Sequence, residues 1–237
     1  VLGTDMLVGC TTDGEVSSRG FSTDSVVLGG VATDRIAFHT ASVTDLGRDS
    51  EQAGRKLGEL LPPTVKYIQL FSDGLTGNGC ALLKGLSSVV GKSVPIAGGT
   101  AGDCGKFEQT GQFLGTNVLT DAAVAIGFSG TFTVSTGVRS GWSPIGTAKK
   151  VTRAEGNVLY ELNGQPALEV YERFLGKHAD KLPEVGVEYP LGLVDELRRA
   201  SLLRLVATAS EPLVETYHDR IRESVLGGLD EVRRRDR

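Results

Sequence analysis

The sequence predicts an α/β fold of mixed sheets, with a βαβ unit in its first half, β-hairpins in its second, and helices packed on the sheet faces. Three observations carry this. The apolar run Val65–Phe71, the helical spacing of Leu82, Leu83, Leu86, Val89 and Val90, and the short stretch Val94–Ala97 alternate strand, helix, strand. Both strands run into glycine-rich loops, Ser72–Gly79 and Gly98–Asp103. Beyond Asp103 the texture changes to short strand-like stretches separated by glycine turns.

In chain order, Asp5–Cys10 reads as a short buried strand ending in the polar turn Thr11–Glu15. Ser25–Val31 and Arg35–Val43 read as a hairpin turning at Ala32–Asp34. Asp49 or Ser50 caps a helix to Leu61, with Ala53, Leu57, Leu60 and Leu61 as its apolar face and Pro62-Pro63 as its stop. The βαβ unit follows; a right-handed crossover makes its strands parallel, so both glycine loops leave one sheet edge, where open α/β sheets bind ligands. Gln109–Leu114 with Asn117–Leu119, and Ala122–Phe128 with Thr131–Val138, read as two hairpins. Strands are expected at Thr147–Ala154 and Leu159–Leu162, then a helix from Ala167 to Leu175 entered by Pro166 and closed by Gly176. His178–Asp195 is irregular, Ala200–Thr208 reads as a strand, and Pro212–Val232 as a helix.

The totals exclude several function classes. A net charge of −4 offers no basis for nucleic-acid binding, and no apolar run approaches the ~20 residues of a membrane helix. Three cysteines without a CxxC pair point to a reducing, cytoplasmic setting. His39, His178 and His218 share no metal-ligand spacing, so neither a metal nor a cofactor is expected from the residues. The chain starts at Val1 within a strand-like stretch, and upstream sequence is expected to precede it. Glycine, 32 of 237 residues, is about twice its usual ~7% share and is expected in loops where backbone approaches backbone or ligand.

Neither loop spells a phosphate cradle: GxxxxGK[ST] is absent, and Gly77-Asn78-Gly79-Cys80-Ala81-Leu82 lacks the third glycine of GxGxxG. The loops instead offer backbone N–H groups at Gly74, Gly98, Gly99 and Gly102, hydroxyls at Ser72 and Thr100, and carboxylates at Asp73 and Asp103. N–H groups suit a small carboxylate, and an aspartate suits an ammonium, so together they fit an amino-acid-like zwitterion. The alternative is that both aspartates only brace turns. Cys10, Thr11, Thr12 and Glu15 occupy a comparable strand-to-loop position and join the candidate site if that strand lies beside the βαβ unit. Trp142, in the loop-like Gly141–Gly146, is a candidate wall or lid. An enzymatic alternative, a hydrolase or transferase using Cys10 or Ser72, needs a base within hydrogen-bond reach; no residue is assigned that role, and the chain is expected not to be an enzyme.

An ordered set of segments resembles a known family. They are Gly9–Glu15, Phe71–Gly74, Ile96–Asp103, Gly141–Gly146, Lys150–Val158 and Glu161–Leu168, and their order is similar to that of the FIST family, the F-box and intracellular signal transduction sensory domains. The resemblance implies an amino-terminal FIST module over 1–180 and part of a carboxy-terminal one over 181–237. It also implies a cytoplasmic sensor that binds a small ligand, an amino acid or derivative, and signals to a partner protein or domain. A haem-binding nitric-oxide sensor is the alternative it carries, with an axial ligand from His39, His178 or His218. No catalytic residues come with it, because none are established for the family. Two departures stand: the family's helix–strand segment before Val1 is missing, and the chain past Glu196 is shorter than the family pattern.

Overall fold

A computed structural model describes residues 6–137, 142–155, 158–182, 185–193 and 213–219. The chain forms two compact units, Val1–Thr136 and Gly137–Arg237.

The first unit is built on a four-stranded sheet. β1 (Val8–Cys10) is followed by the small hairpin β2 (Glu15–Ser17) and β3 (Gly20–Ser22), then β4 (Ile36–Thr44), α1 (Ser50–Glu59), β5 (Val65–Ser72), α2 (Gly79–Val90), β6 (Ile96–Thr100), β7 (Gln112–Leu114), β8 (Asn117–Leu119) and β9 (Ala122–Gly130). The main sheet has the order β4-β9-β5-β6, and β1-β7-β8 form a second. β5 and β6 are parallel, from Ile68 beside Ile96 to Ser72 beside Thr100, and α2 connects them. The βαβ unit is therefore present.

α1 starts where Asp49 accepts a hydrogen bond from the Gln52 N–H, and α2 where Asn78 accepts one from Ala81. The helices pack on one face of the sheet, where Leu57, Leu82 and Leu86 meet Ala41, Val43, Ile68, Leu70, Ala123 and Ala125. Full burial of Leu57 and Leu86 stabilises this layer by about 1.5–3 kcal/mol each. Leu60, Leu83 and Val89, which the helical spacing places on the apolar faces, stay exposed. Part of the glycine surplus lies inside these helices: a Cβ on Gly85 would sit 2.0 Å from the Glu51 carbonyl oxygen, so the helices approach more closely than any side chain permits. On the opposite face Phe38, Tyr67, Phe128 and Phe132 form a chain of tilted and edge-to-face rings.

Two expected hairpins are corrected. Ser25–Val31 is not a strand, and Val26, Leu28 and Val31 are exposed; β4 pairs with β9 instead, over Ile36–Thr44. β9 is likewise a single central strand flanked by β4 and β5, and residues 131–137 form no strand with it. Its run from Ala122 to Ala125 is buried throughout, the pattern of a strand covered on both faces. The β7–β8 hairpin around Gly115 is as expected.

The second unit contains β10 (Trp142–Glu155), β11 (Val158–Leu162), β12 (Gln165–Pro166), α3 (Ala167–Leu175), a 3₁₀ turn (Gly176–Lys181), α4 (Val185–Glu188), β13 (Leu191–Leu193) and β14 (Leu213–Asp219). Its sheet has the order β12-β11-β10-β14-β13. α3 ends at Gly176 with a φ of 57°, a left-handed value that favours glycine. Leu162 and Ala167 form the core here, with Val151, Leu159, Val170 and Leu191 against it. Leu213–Asp219 is a strand paired with β10 and β13 rather than the start of the expected helix. The reason is that Leu213, Tyr217 and Ile221 satisfy a helical spacing, but strand partners on both sides outweigh a local pattern. The rest of that expected helix and the expected strand Ala200–Thr208 lie outside the described residues. No helix among the described residues is long and apolar enough to cross a membrane.

Candidate functional site

The loops after β5 and β6 leave the same sheet edge because their strands are parallel. The Thr11–Glu15 turn joins them. Thr11 seals onto the chain ahead of β7, donating from its N–H to the Gly111 carbonyl at 2.8 Å and accepting at its hydroxyl from the Gly111 N–H at 3.0 Å. Its own carbonyl accepts from Gly102 N–H at 3.0 Å. Asp13 Oδ1 accepts from Cys104 N–H at 2.8 Å, and the Ala101 N–H donates to the Ser72 carbonyl at 2.7 Å. Three loops are thereby tied together by main-chain bonds. Two glycines make the contacts possible: a Cβ on Gly74 would lie 2.0 Å from the Ala101 carbonyl oxygen, and one on Gly102 2.5 Å from the Asp13 carboxylate.

Asp73 is buried beneath this junction. Its Oδ1 accepts from the N–H groups of Leu75 and Thr76 at 2.8 and 3.0 Å, and its Oδ2 from Asp121 N–H at 3.1 Å. The Thr110 hydroxyl donates to the same carboxylate. Burial alone raises the pKa of this group, but the four donors together hold it below the ordinary aspartate value. Asp103 is wrapped in the same way near the surface: Oδ1 accepts from Lys106 and Phe107 N–H at 3.0 and 3.1 Å, Oδ2 from Glu108 and Gln109 at 2.7 and 3.2 Å. The Glu108 N–H leads the groups that hold its pKa down. A carboxylate offers about four lone-pair positions, so neither aspartate has one left for an ammonium. Turn bracing is what both do.

The open polar groups lie elsewhere. Gly98, Gly99 and Thr100 are exposed on β6, which has β5 as its one partner among the described strands; the pairing turns the Gly99 N–H onto the Leu70 carbonyl and leaves the Gly98 N–H outward. Glu15 accepts from the Thr12 hydroxyl at 2.7 Å and the Ser25 hydroxyl at 2.6 Å, and these bonds, Ser25 first, hold its carboxyl below the usual range. The main-chain N–H groups of Glu15 and Ser25 face the same carboxylate. Asp13 has one protein donor among the described residues, the Cys104 N–H, and keeps lone-pair positions open. Asp13 was readable as a turn residue in Thr12-Asp13-Gly14, but nothing in the sequence paired it with Cys104, 91 residues away.

The nucleophile candidates are poorly placed for attack. Burial pushes the Cys10 thiol up, the opposite of what a reactive thiolate needs. Ser72 is buried on β5. His39 Nε2 is 2.8 Å from Ser129 Oγ, opposite Gly127 near the far end of β9. At about 3.3 Å per residue, the five residues from His39 to Thr44 put that imidazole some 16 Å from the loop edge. The same contact occupies the ring nitrogen that a haem iron would take. Among the described residues no cluster of histidine, cysteine, aspartate and glutamate fits a metal ion. Trp142 belongs to the second unit, where its backbone opens β10 opposite Asp219; its side chain lies outside what is described.

Sequence comparisons bear on this arrangement. A family model described as the FIST N domain matches residues 1–165, beyond the first unit and as far as β12. A protein of Methanocaldococcus jannaschii described as uncharacterized is 30% identical over 189 residues, covering 76% of this chain and 36% of the relative. The chain thus spans about a third of that relative's length. No solved structure matches it. The chain, matched over residues 1–165, belongs to the FIST family of signal-transduction sensor domains.

Proposed function

We propose that the chain senses a small amino-acid-like ligand on the loop edge of its first unit and passes the signal to a partner protein in the cytoplasm. The observation that carries this is the meeting of three loops at one edge, with some polar groups consumed in holding them and others left open. The main-chain N–H of Gly98, which points away from β5, and the Thr100 hydroxyl are donors for a ligand carboxylate. Glu15, ionised at neutral pH, and Asp13, which keeps lone-pair positions open, are the acceptors for its ammonium in the same turn. Asp73 from below and Asp103 near the surface shape the site without touching the ligand. The reading is non-catalytic: burial raises the pKa of the Cys10 thiol, and His39 is bonded to Ser129 near the far end of β9.

A thermal-shift screen of the chain against amino acids and their derivatives tests it. A ligand at 100 times its Kd adds about 2.7 kcal/mol of stability. Glu15→Gln removes one of the two ammonium acceptors and is expected to reduce the shift while leaving the unliganded midpoint in place. No shift with any amino acid at millimolar concentration overturns the reading.

A further inference from the structure

Two adjoining cavities open in the second unit, and neither includes a residue of the glycine loops. The more enclosed one, about 130 Å³, is walled by Leu162, Val170, Tyr171, Phe174 and Leu191. An apolar cavity of about 150 Å³ holds a benzene ring, so this one suits a single aryl ring or a branched alkyl group. The more open one, about 290 Å³, shares Lys149, Leu162, Val170 and Phe174 with it and adds Asn163, Gln165 and Arg173 at the mouth.

The mouth is rich in donors. Asn163 Oδ1 accepts from the Lys150 N–H at 2.8 Å, which fixes the side-chain amide so that its NH₂ is the free end. Gln165 Oε1 accepts from Arg173 Nη1 at 3.4 Å, which fixes that amide in the same sense. Lys149 and Arg173 have no carboxylate partner among the described residues, and no aspartate or glutamate lines either cavity. An apolar pocket beneath two cations that have no carboxylate partner among the described residues, and two outward amide NH₂ groups, is complementary to an anion with an apolar body. The guanidinium fork and the amides match a planar carboxylate. A zwitterion is disfavoured, since its ammonium would lie beside Lys149 and Arg173 with no aspartate or glutamate lining either cavity among the described residues.

We propose that the second unit binds a small monocarboxylate bearing one aryl or branched alkyl group, its body between α3 and β11 and its carboxylate on Lys149 and Arg173. This site is separate from the amino-acid-like site proposed above.

Isothermal titration of the full chain with 3-phenylpropanoate, 3-phenylpropanamide and phenylalanine tests it. The carboxylate is expected to bind at least about tenfold more tightly than the neutral amide, a difference of 1.4 kcal/mol, and phenylalanine to bind at this site as weakly as the amide. The double variant Lys149→Gln, Arg173→Gln is expected to bring 3-phenylpropanoate down to the level of the amide with an unchanged thermal midpoint. Glu15→Gln is expected to leave 3-phenylpropanoate binding intact, which separates this site from the loop edge. Equal affinity for acid and amide, wild-type affinity in the double variant, loss of binding in Glu15→Gln, or no heat with 3-phenylpropanoate at millimolar concentration each overturn the proposal.

Discussion

The loop edge of the first unit and the cavity mouth of the second use the same polar vocabulary to opposite ends. At the loop edge, Asp73 and Asp103 each gather four donors from the protein. At the cavity mouth, the amide oxygens of Asn163 and Gln165 each accept an internal hydrogen bond, and the cations of Lys149 and Arg173 have no carboxylate partner among the described residues. The difference teaches that a polar residue in a glycine-rich loop is no sign of a binding site until its hydrogen bonds are counted. A saturated carboxylate holds structure, and an unsaturated group is free to hold a ligand.

The largest test of this contrast is Asp73→Ala. It strips four donors of their acceptor beneath three loops, and each buried donor left unpaired costs roughly 1–3 kcal/mol; with partial relaxation we expect a loss of about 3–4 kcal/mol in denaturant unfolding. A loss under ~1 kcal/mol would show that Asp73 does not hold the loops. Gly102→Ala should cost somewhat less, about 1–3 kcal/mol. Its Cβ would displace the Asp13 carboxylate from Cys104 N–H but leave Asp73 in place.

Acid offers a third test. The folded pKa of Asp73 is lowered, so its contribution is fully present above the unfolded value of about 3.9 and is lost as pH falls through the lower folded value. Wild type should therefore lose stability in that acid window more steeply than Asp73→Ala, followed by urea midpoints against pH; parallel curves would remove the carboxylate from the account. The smallest effect is expected at the cavity mouth, where the Lys149→Gln, Arg173→Gln pair should change stability by no more than ~0.5 kcal/mol. A larger change would mean these cations hold the second unit together, and the contrast with the loop edge would fail.

Much of the architecture was legible. The helices ending at Val90 and Leu175, the parallel pair β5–β6 and the β7–β8 hairpin follow from periodicity and turn chemistry, which are properties of short windows. The misread stretches share a cause. Val26 to Val31 has strand-like residues but no face to pack on, and β9 has partners on both sides that lie more than fifty residues earlier in the chain. Leu213–Asp219 fits a helical period, yet it pairs as a strand with β10 and β13.

The sequence by itself determined the family, the strand-helix order and the presence of three loops rich in glycine, hydroxyls and carboxylates. Those are written in residue types and their spacing along the chain. Only the tertiary structure decided which polar groups are spent and which are open. Asp13 is committed to Cys104 across 91 residues, and Asp73 to the Asp121 N–H across 48. A hydrogen bond between distant segments depends on angles and distances that folding alone fixes, so the division between bracing and binding groups came into view only there.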